Sequence, residues 1–452
     1  MTPFGVNWNG FRNDGLPLVA MTSGAAYAAS PAPRLIRDSE IENTIRTWAS
    51  PVFEAAGLNA ADVDIYLVND SSINAFVAGG MNLFINTGLL MKSQTPNQVI
   101  GVMAHETGHI AGGHLARFQD RLRGASITAI LAMILGAGAA VAGAGGAGVA
   151  VMTGGLGVAQ GNLLAYSRTQ ESSADQAGMK FLDESGQSAR GMSEFFHILS
   201  GQELLNTTHQ DPYVQTHPLT RDRIEAVDAH VAKSKYSDVP DKPENIEMHK
   251  RMVAKLSGFI LSPANTLARY KEADKSVAAR YARAIAYYRL PDMTKAVPLI
   301  DGLIAEEPDN PYFYELKGQM MFENGRGAEA LAPYQKAVSL LPNDALLRVG
   351  LAQAQIERDD PALNTDAINN LRRATQREPL NAFAWSELAI AYGRDNQLGM
   401  SALSSAEAAL ARGNKREARL QGARAEKLLV RGSPGWIRLQ DLQAAARRDE
   451  DD

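Results

Sequence analysis

The sequence predicts an α+β, mainly α chain: a mixed domain built on a few short strands, followed by a solenoid of stacked helix pairs. Three observations carry this. Segment 63–68 alternates as a half-buried strand does, segment 82–86 is a second short strand candidate, and both sit among helical stretches. Pro308, Pro342 and Pro379 each close a helical pair, spaced by 34 and 37 residues, which is a repeat period. The chain has 452 residues, more than one typical domain accommodates.

Along the chain, residues 1–30 read as a leader. Arg12 precedes a short apolar stretch, and Ala26-Tyr27-Ala28 fits a small-x-small cleavage site, so export is the expectation. A domain over residues 31–233 follows. Its pattern is helical from about Ile36 to Gly57, then Val63–Val68 reads as a strand. Ile73–Phe76 reads as a short extended piece, Gly79-Gly80 as a turn, and Asn82–Asn86 as another strand. The next helix has three agreeing start signals: Thr95 to cap, Pro96 for the first position, and Gln98 to complete a capping box.

Between Gly124 and Ser167 lie 44 residues without a formal charge. Residues 127–135 are apolar and the following glycines make a rigid helix costly, so the first reading is a buried helix and a glycine-rich loop. Membrane contact by residues 127–151 is the alternative, since about 20 apolar residues span a bilayer. Residues 234–246, polar and with Pro240 and Pro243, read as a linker. Residues 247–445 read as tetratricopeptide repeats, whose small residues let paired helices approach. Tyr314, Gly318, Ala330, Tyr334, Ala337 and Pro342 fall at the expected offsets. The third repeat has about three extra residues, assigned to its inner turn. The fourth opens with Trp385, Leu388, Ala389 and Tyr392 but has Ser401 where alanine is usual. The acidic end, 449–452, reads as solvated.

Composition excludes several classes. Net charge is −5 with no long basic run, so nucleic acid is not an expected partner. With no cysteine, thiolate metal sites and cysteine nucleophiles are absent, and any metal must be held by His, Asp or Glu.

The chemistry lies in His105-Glu106-Thr107-Gly108-His109. Histidines four apart on a helix lie one turn apart on one face and can share an ion. One zinc ion there would polarise a peptide carbonyl, and Glu106 would serve as general base toward water. For the third ligand, His114 lies about 140° around the helix from His109 and reads as structural. Glu171 completes a set of two histidines and one carboxylate, with Asp175 one turn on to accept an imidazole N–H.

Ile73-Asn74-Ala75-Phe76, Gly79-Gly80, His105 to His109, Ser167-Arg168-x-x-Glu171-x-x-x-Asp175 and Thr216-His217-Pro218 resemble the family of the CAAX prenyl proteases and the heat-shock membrane protease X. The resemblance implies a gluzincin-type metallopeptidase with His105, His109 and Glu171 as zinc ligands and Glu106 as general base. It also implies that His217 lies over the active site, able to occupy the metal's free position and hold the enzyme inactive. Arg223 lies near that loop and is expected to orient it. With the repeats, the resemblance implies a periplasmic endopeptidase for unfolded or stalled outer-membrane proteins, its repeats binding substrate or the assembly machinery. Two other readings stand beside it: a chaperone or scaffold with a latent protease site, and an integral membrane protease inserted near 127–151.

Overall fold

The computed structural model describes residues 34–114, 168–205 and 217–447. The leader expected at 1–30, the segment 127–151 and the acidic end lie outside the described residues. The described chain falls into two units, divided between Leu256 and Ser257.

The first unit is mixed α/β. Strand β1 (Arg34–Ile36) leads into α1 (Ser39–Ala55). The helix begins at Ser39 rather than Ile36 because Asp38 caps it, its carboxylate accepting from the Ile41 amide at 2.9 Å. Strands β2 (Asp64–Asn69), β3 (Ala75–Ala78) and β4 (Asn82–Asn86) complete a four-stranded sheet of order β1-β2-β4-β3. β2 and β4 are parallel, and the outer pairs are antiparallel. The β3–β4 hairpin turns through Gly79 and Gly80, both at positive φ, which a side chain would oppose. Asn82 closes the turn by donating to Ala78 O and Gly79 O. Tyr66, Phe84 and Phe76 are cross-strand partners and stack in a ladder, with centroids 5.2 and 4.9 Å apart.

Helices α2 (Thr87–Lys92), α3 (Pro96–Ala111), α4 (Arg168–Glu184), α5 (Arg190–Leu205) and α6 (Arg221–Val231) follow. α3 starts as its signals require, the Thr95 hydroxyl accepting from the Gln98 amide. The Gln98 side chain accepts from the Gln94 amide, one residue earlier than a standard capping box. α7 (Pro243–Ile260) begins within the stretch read as a linker. Before it, Ser237 is buried and its carbonyl accepts from Ser188 Oγ at 2.8 Å. α7 is fastened to the start of α1 by two ion pairs, Lys255–Asp38 at 2.8 Å and Arg251–Glu40 at 3.0 Å. Lys255, Asp38 and Glu40 are all buried, and burial raises the Asp38 pKa.

Among the described residues, the second unit has helices and no strand. After α8 (Pro263–Arg269) come five helix pairs: α9 (Val277–Arg289) with α10 (Met293–Glu306), α11 (Pro311–Glu323) with α12 (Gly327–Leu340), α13 (Ala345–Glu357) with α14 (Pro361–Arg377), α15 (Ala382–Arg394) with α16 (Leu398–Ala411), and α17 (Lys415–Leu428) with α18 (Pro434–Arg447). The small residues do what the repeat pattern requires: a Cβ on Gly318 would sit 2.8 Å from the Tyr334 ring, and Ala330 and Ala337 are fully buried. The three extra residues of the third repeat lengthen its second helix to 17 residues rather than its inner turn. Asp360 and Pro361 begin that helix directly after a short turn. Ser401 is accommodated by donating to Ala389 O at 2.8 Å. Among the described residues, no helix is long and apolar enough to cross a membrane.

Candidate metal centre

Two helices position the centre. α3 holds His105 and His109 one turn apart on its buried face, and α4 holds Glu171 and Asp175 in the same relation. The helices touch through backbone. A Cβ on Gly108 would lie 2.6 Å from Ala174 O, and one on Gly178 would lie 3.0 Å from Ala104 O. The close approach that brings the Glu171 carboxylate to the two rings thus leaves no room for a Cβ at 108 and little at 178. A third element, the turn before α6, brings in His217. Thr220 caps α6 by accepting from the Arg223 amide, which places Arg223 in the first turn facing inward.

His105, His109, Glu171 and His217 offer one donor atom each, all within 4.8 Å of one another and all buried. His105 Nε2 is 3.1 Å from His109 Nε2 and 3.3 Å from His217 Nδ1. Glu171 Oε1 is 3.2 Å from His109 Nε2 and 3.1 Å from His217 Nδ1, and its Oε2 is 3.5 Å from His105 Nε2. Ligands bound 2.0–2.1 Å from a tetrahedral zinc ion are about 3.3 Å apart along the edges. The observed separations match those edges. Glu106 adds to the fit: both its carboxylate oxygens are buried and, among the described residues, have no hydrogen-bond partner, which is costly unless a cation or its water lies close. The residues therefore fit a divalent metal.

Around the donors lies a second set of contacts. His105 Nδ1 is 2.8 Å from Asp175 Oδ1, the arrangement that fixes a ligand imidazole's tautomer. Arg223, itself buried, donates to Asp175 through Nε at 2.6 Å and Nη2 at 2.8 Å, and to Pro218 O through Nη1 at 2.9 Å. The same Nη1 is 2.7 Å from Glu171 Oε2, and the guanidinium lies 5.0 Å over the Phe196 ring. One cation thus ties together the carboxylate at 171, the carboxylate behind His105 and the backbone next to His217. His114, read from the sequence as structural, has its Nδ1 3.0 Å from His109 Nδ1 and stands behind that ring as Asp175 stands behind His105. The signal was the Gly112-Gly113 pair, since a Cβ on Gly112 would meet the His114 ring at 2.5 Å. Phe196 had no signal in the sequence beyond an apolar helix face.

The charges are strongly coupled. Burial alone would strip the proton from His105, but the Asp175 and Glu171 carboxylates overcome it and raise its pKa to about 10. Burial lowers His109 and raises Glu106. Glu171 is held far below the usual carboxylate range by the three imidazoles, against the pull of its burial. Asp175 is lowered, again against burial, by Arg223 and His105.

Comparison with known proteins agrees with this geometry. Residues 36–231 match the model of peptidase family M48, and residues 264–311 and 281–345 match a tetratricopeptide-repeat model. The chain is 26% identical over 416 residues to the beta-barrel assembly-enhancing protease of Escherichia coli, covering 88% of this chain and 77% of the relative. To the putative beta-barrel assembly-enhancing protease of Vibrio cholerae it is 29% identical over 349 residues, 75% of this chain and 69% of the relative. A protease HtpX homolog of Bordetella petrii is 32% identical over 103 residues, 22% of this chain and 32% of that one. The motif helix, the crossing helix and the sheet at 36–231 thus lie in a zincin-like metallopeptidase domain that matches peptidase family M48, joined in one chain to segments that match tetratricopeptide repeats.

Proposed function

We propose that the chain is a zinc-dependent endopeptidase of protein quality control, held latent by its own His217. The observation that carries this is the set of four donors at tetrahedral spacing, three of them on α3 and α4 and the fourth on the turn before α6. His105, His109 and Glu171 would hold the ion, with Asp175 and His114 orienting the two rings from behind. Zinc supplies Lewis acidity there, polarising a peptide carbonyl and making water near it a stronger acid.

Glu106 then acts as the proton carrier. Its buried carboxylate takes a proton from the attacking water as the C–O bond forms, and returns it to the amide nitrogen as the C–N bond breaks. His217 would stand in the way: its Nδ1, 3.1 Å from Glu171 Oε1, would be a fourth donor to the ion, and its Nε2 is 3.5 Å from Glu106 Oε1. Substrate entry requires the turn at 217–220 to move, and Arg223 holds that turn through Pro218 O.

The relatives named beta-barrel assembly-enhancing proteases support a substrate class of unfolded or stalled outer-membrane proteins in the periplasm. The repeats would bind such substrates or the assembly machinery, as solenoids of this type bind polypeptides. The test is hydrolysis of an unfolded protein by the zinc-loaded chain. Glu106→Gln should lower kcat at least about a thousandfold while zinc stays bound, and His217→Ala should raise it. Hydrolysis that survives Glu106→Gln refutes the assignment. A phenotype that depends on the repeats but on neither residue supports the chaperone or scaffold reading instead.

A further inference from the structure

The solvent face of α17 does not belong to the peptidase chemistry, and its composition is unlike the rest of the chain. Between Arg412 and Arg431 there are seven basic and two acidic residues, in a chain whose net charge is −5. Arg416, Leu420, Arg424 and Lys427 recur every three or four residues, so they share one face of the helix. The opposite face, Ala418, Gly422 and Ala425, is buried. All four are exposed, and Val430 and Arg431 follow, exposed, just past the helix end. Among the described residues, Arg416, Arg424, Lys427 and Arg431 have no carboxylate in ion-pair reach.

Large apolar side chains stand among these cations. Leu420 is 63% exposed, Leu428 47% and Val430 77%. Exposed aliphatic side chains cost free energy in water, and cations without partners repel one another, so one surface that satisfies both is informative. A layer of anionic lipid headgroups over acyl chains does so: it neutralises Arg and Lys and takes up the leucine and valine tips. Nucleic acid would neutralise the charge, but residues 412–433 contain no aromatic side chain on which a base could stack.

We propose that α17 and the turn after it form a peripheral docking surface for an anionic lipid bilayer. The basic side chains lie on the headgroups, and Leu420, Leu428 and Val430 enter the interface. This is independent of the zinc site and of residues 127–151.

The experiment is sedimentation of the purified full chain with vesicles of phosphatidylcholine alone or with about 30% phosphatidylglycerol, at about 50 mM and about 500 mM salt. The chain should sediment with the anionic vesicles at low salt, and not with neutral vesicles or at high salt. Each basic residue near such a surface contributes about fivefold, so Arg416→Glu with Lys427→Glu should weaken partition at least about twentyfold. Leu420→Ser, which leaves the charge unchanged, should weaken it several-fold. Lys250→Glu, an exposed lysine of α7, should leave it unchanged, and circular dichroism should show each variant folded. Three results overturn the proposal: no retention of the parent chain on anionic vesicles, equal retention of the Arg416/Lys427 variant, or a patch that holds polyglutamate but not vesicles.

Discussion

Replacing Gly108 by alanine adds a methyl group where α3 and α4 touch backbone to backbone. The new carbon would lie 2.6 Å from Ala174 O and 2.9 Å from Ala174 Cα, whereas ordinary contact begins at 3.4 Å. The obstacle is backbone, so no rotamer change relieves it, and the helices must part by about 0.8 Å. Glu171 is one turn from Ala174 and moves with it, away from His105 and His109 on α3. Metal–ligand distances tolerate only about 0.2 Å. Zinc affinity should therefore fall about tenfold to a hundredfold, the range seen when ligand orientation is lost. Global stability should fall by about 1–3 kcal/mol, the usual cost of overpacking. Competition against a chromogenic chelator measures the first and urea unfolding the second, at a temperature where both proteins are folded. Gly201→Ala is the control: it lies in helix α5 with nothing within 4 Å of an added Cβ. That change should gain up to about 1 kcal/mol from helix propensity and leave zinc affinity alone. Unchanged affinity in Gly108→Ala would refute the claim that the helix crossing sets the position of Glu171.

The remaining predictions concern charges held out of water. Arg223→Ala leaves the Asp175 and Glu171 carboxylates buried without their cation and should cost about 3–5 kcal/mol in urea unfolding. Arg223→Lys should recover little of this, because an ammonium cannot span both Asp175 oxygens and Pro218 O as the planar fork does. His249 is buried on α7 with its Nε2 2.8 Å from Ser93 Oγ, and burial lowers its pKa to about 4. The unfolded chain then takes up this proton first as pH falls, so the stability is full above about pH 6.5 and is lost between there and about pH 4. The loss is about 3 kcal/mol. His249→Gln should flatten the difference in unfolding free energy between pH 7 and pH 4.5 by about 2 kcal/mol, the part of that loss that falls above pH 4.5, and an equally steep profile would contradict it.

Local periodicity made much of this molecule legible. His105 and His109 stood out because four residues is one helical turn, and Glu171 with Asp175 for the same reason. The start of α3 was readable because its capping groups lie within four residues of one another. Each element that escaped was either too short or closed by distant residues. β1 has three residues, too few for an alternation, and exists because Leu35 pairs with Val68. His217 meets His105 across 112 residues of sequence, and no spacing rule connects them, so its place came only from the family resemblance. Helical angle reads His114 as structural rather than as a ligand, but its contact was not legible: α3 ends at Ala111, and the glycine turn carries His114 back behind the His109 ring. The last helix pair, α17–α18, lacks the repeat signature of the earlier ones. It packs with glycine and alanine, Gly422 and Ala425, against Leu439 and Leu442.

Zinc K-edge X-ray absorption on the purified chain reads the donor set directly. The account predicts one equivalent of zinc with four nitrogen or oxygen neighbours at about 2.0–2.1 Å, three of them imidazole, falling to two imidazoles in His217→Ala. A chain that carries no metal when zinc is supplied, or whose zinc has an imidazole count unchanged by His217→Ala, would contradict it.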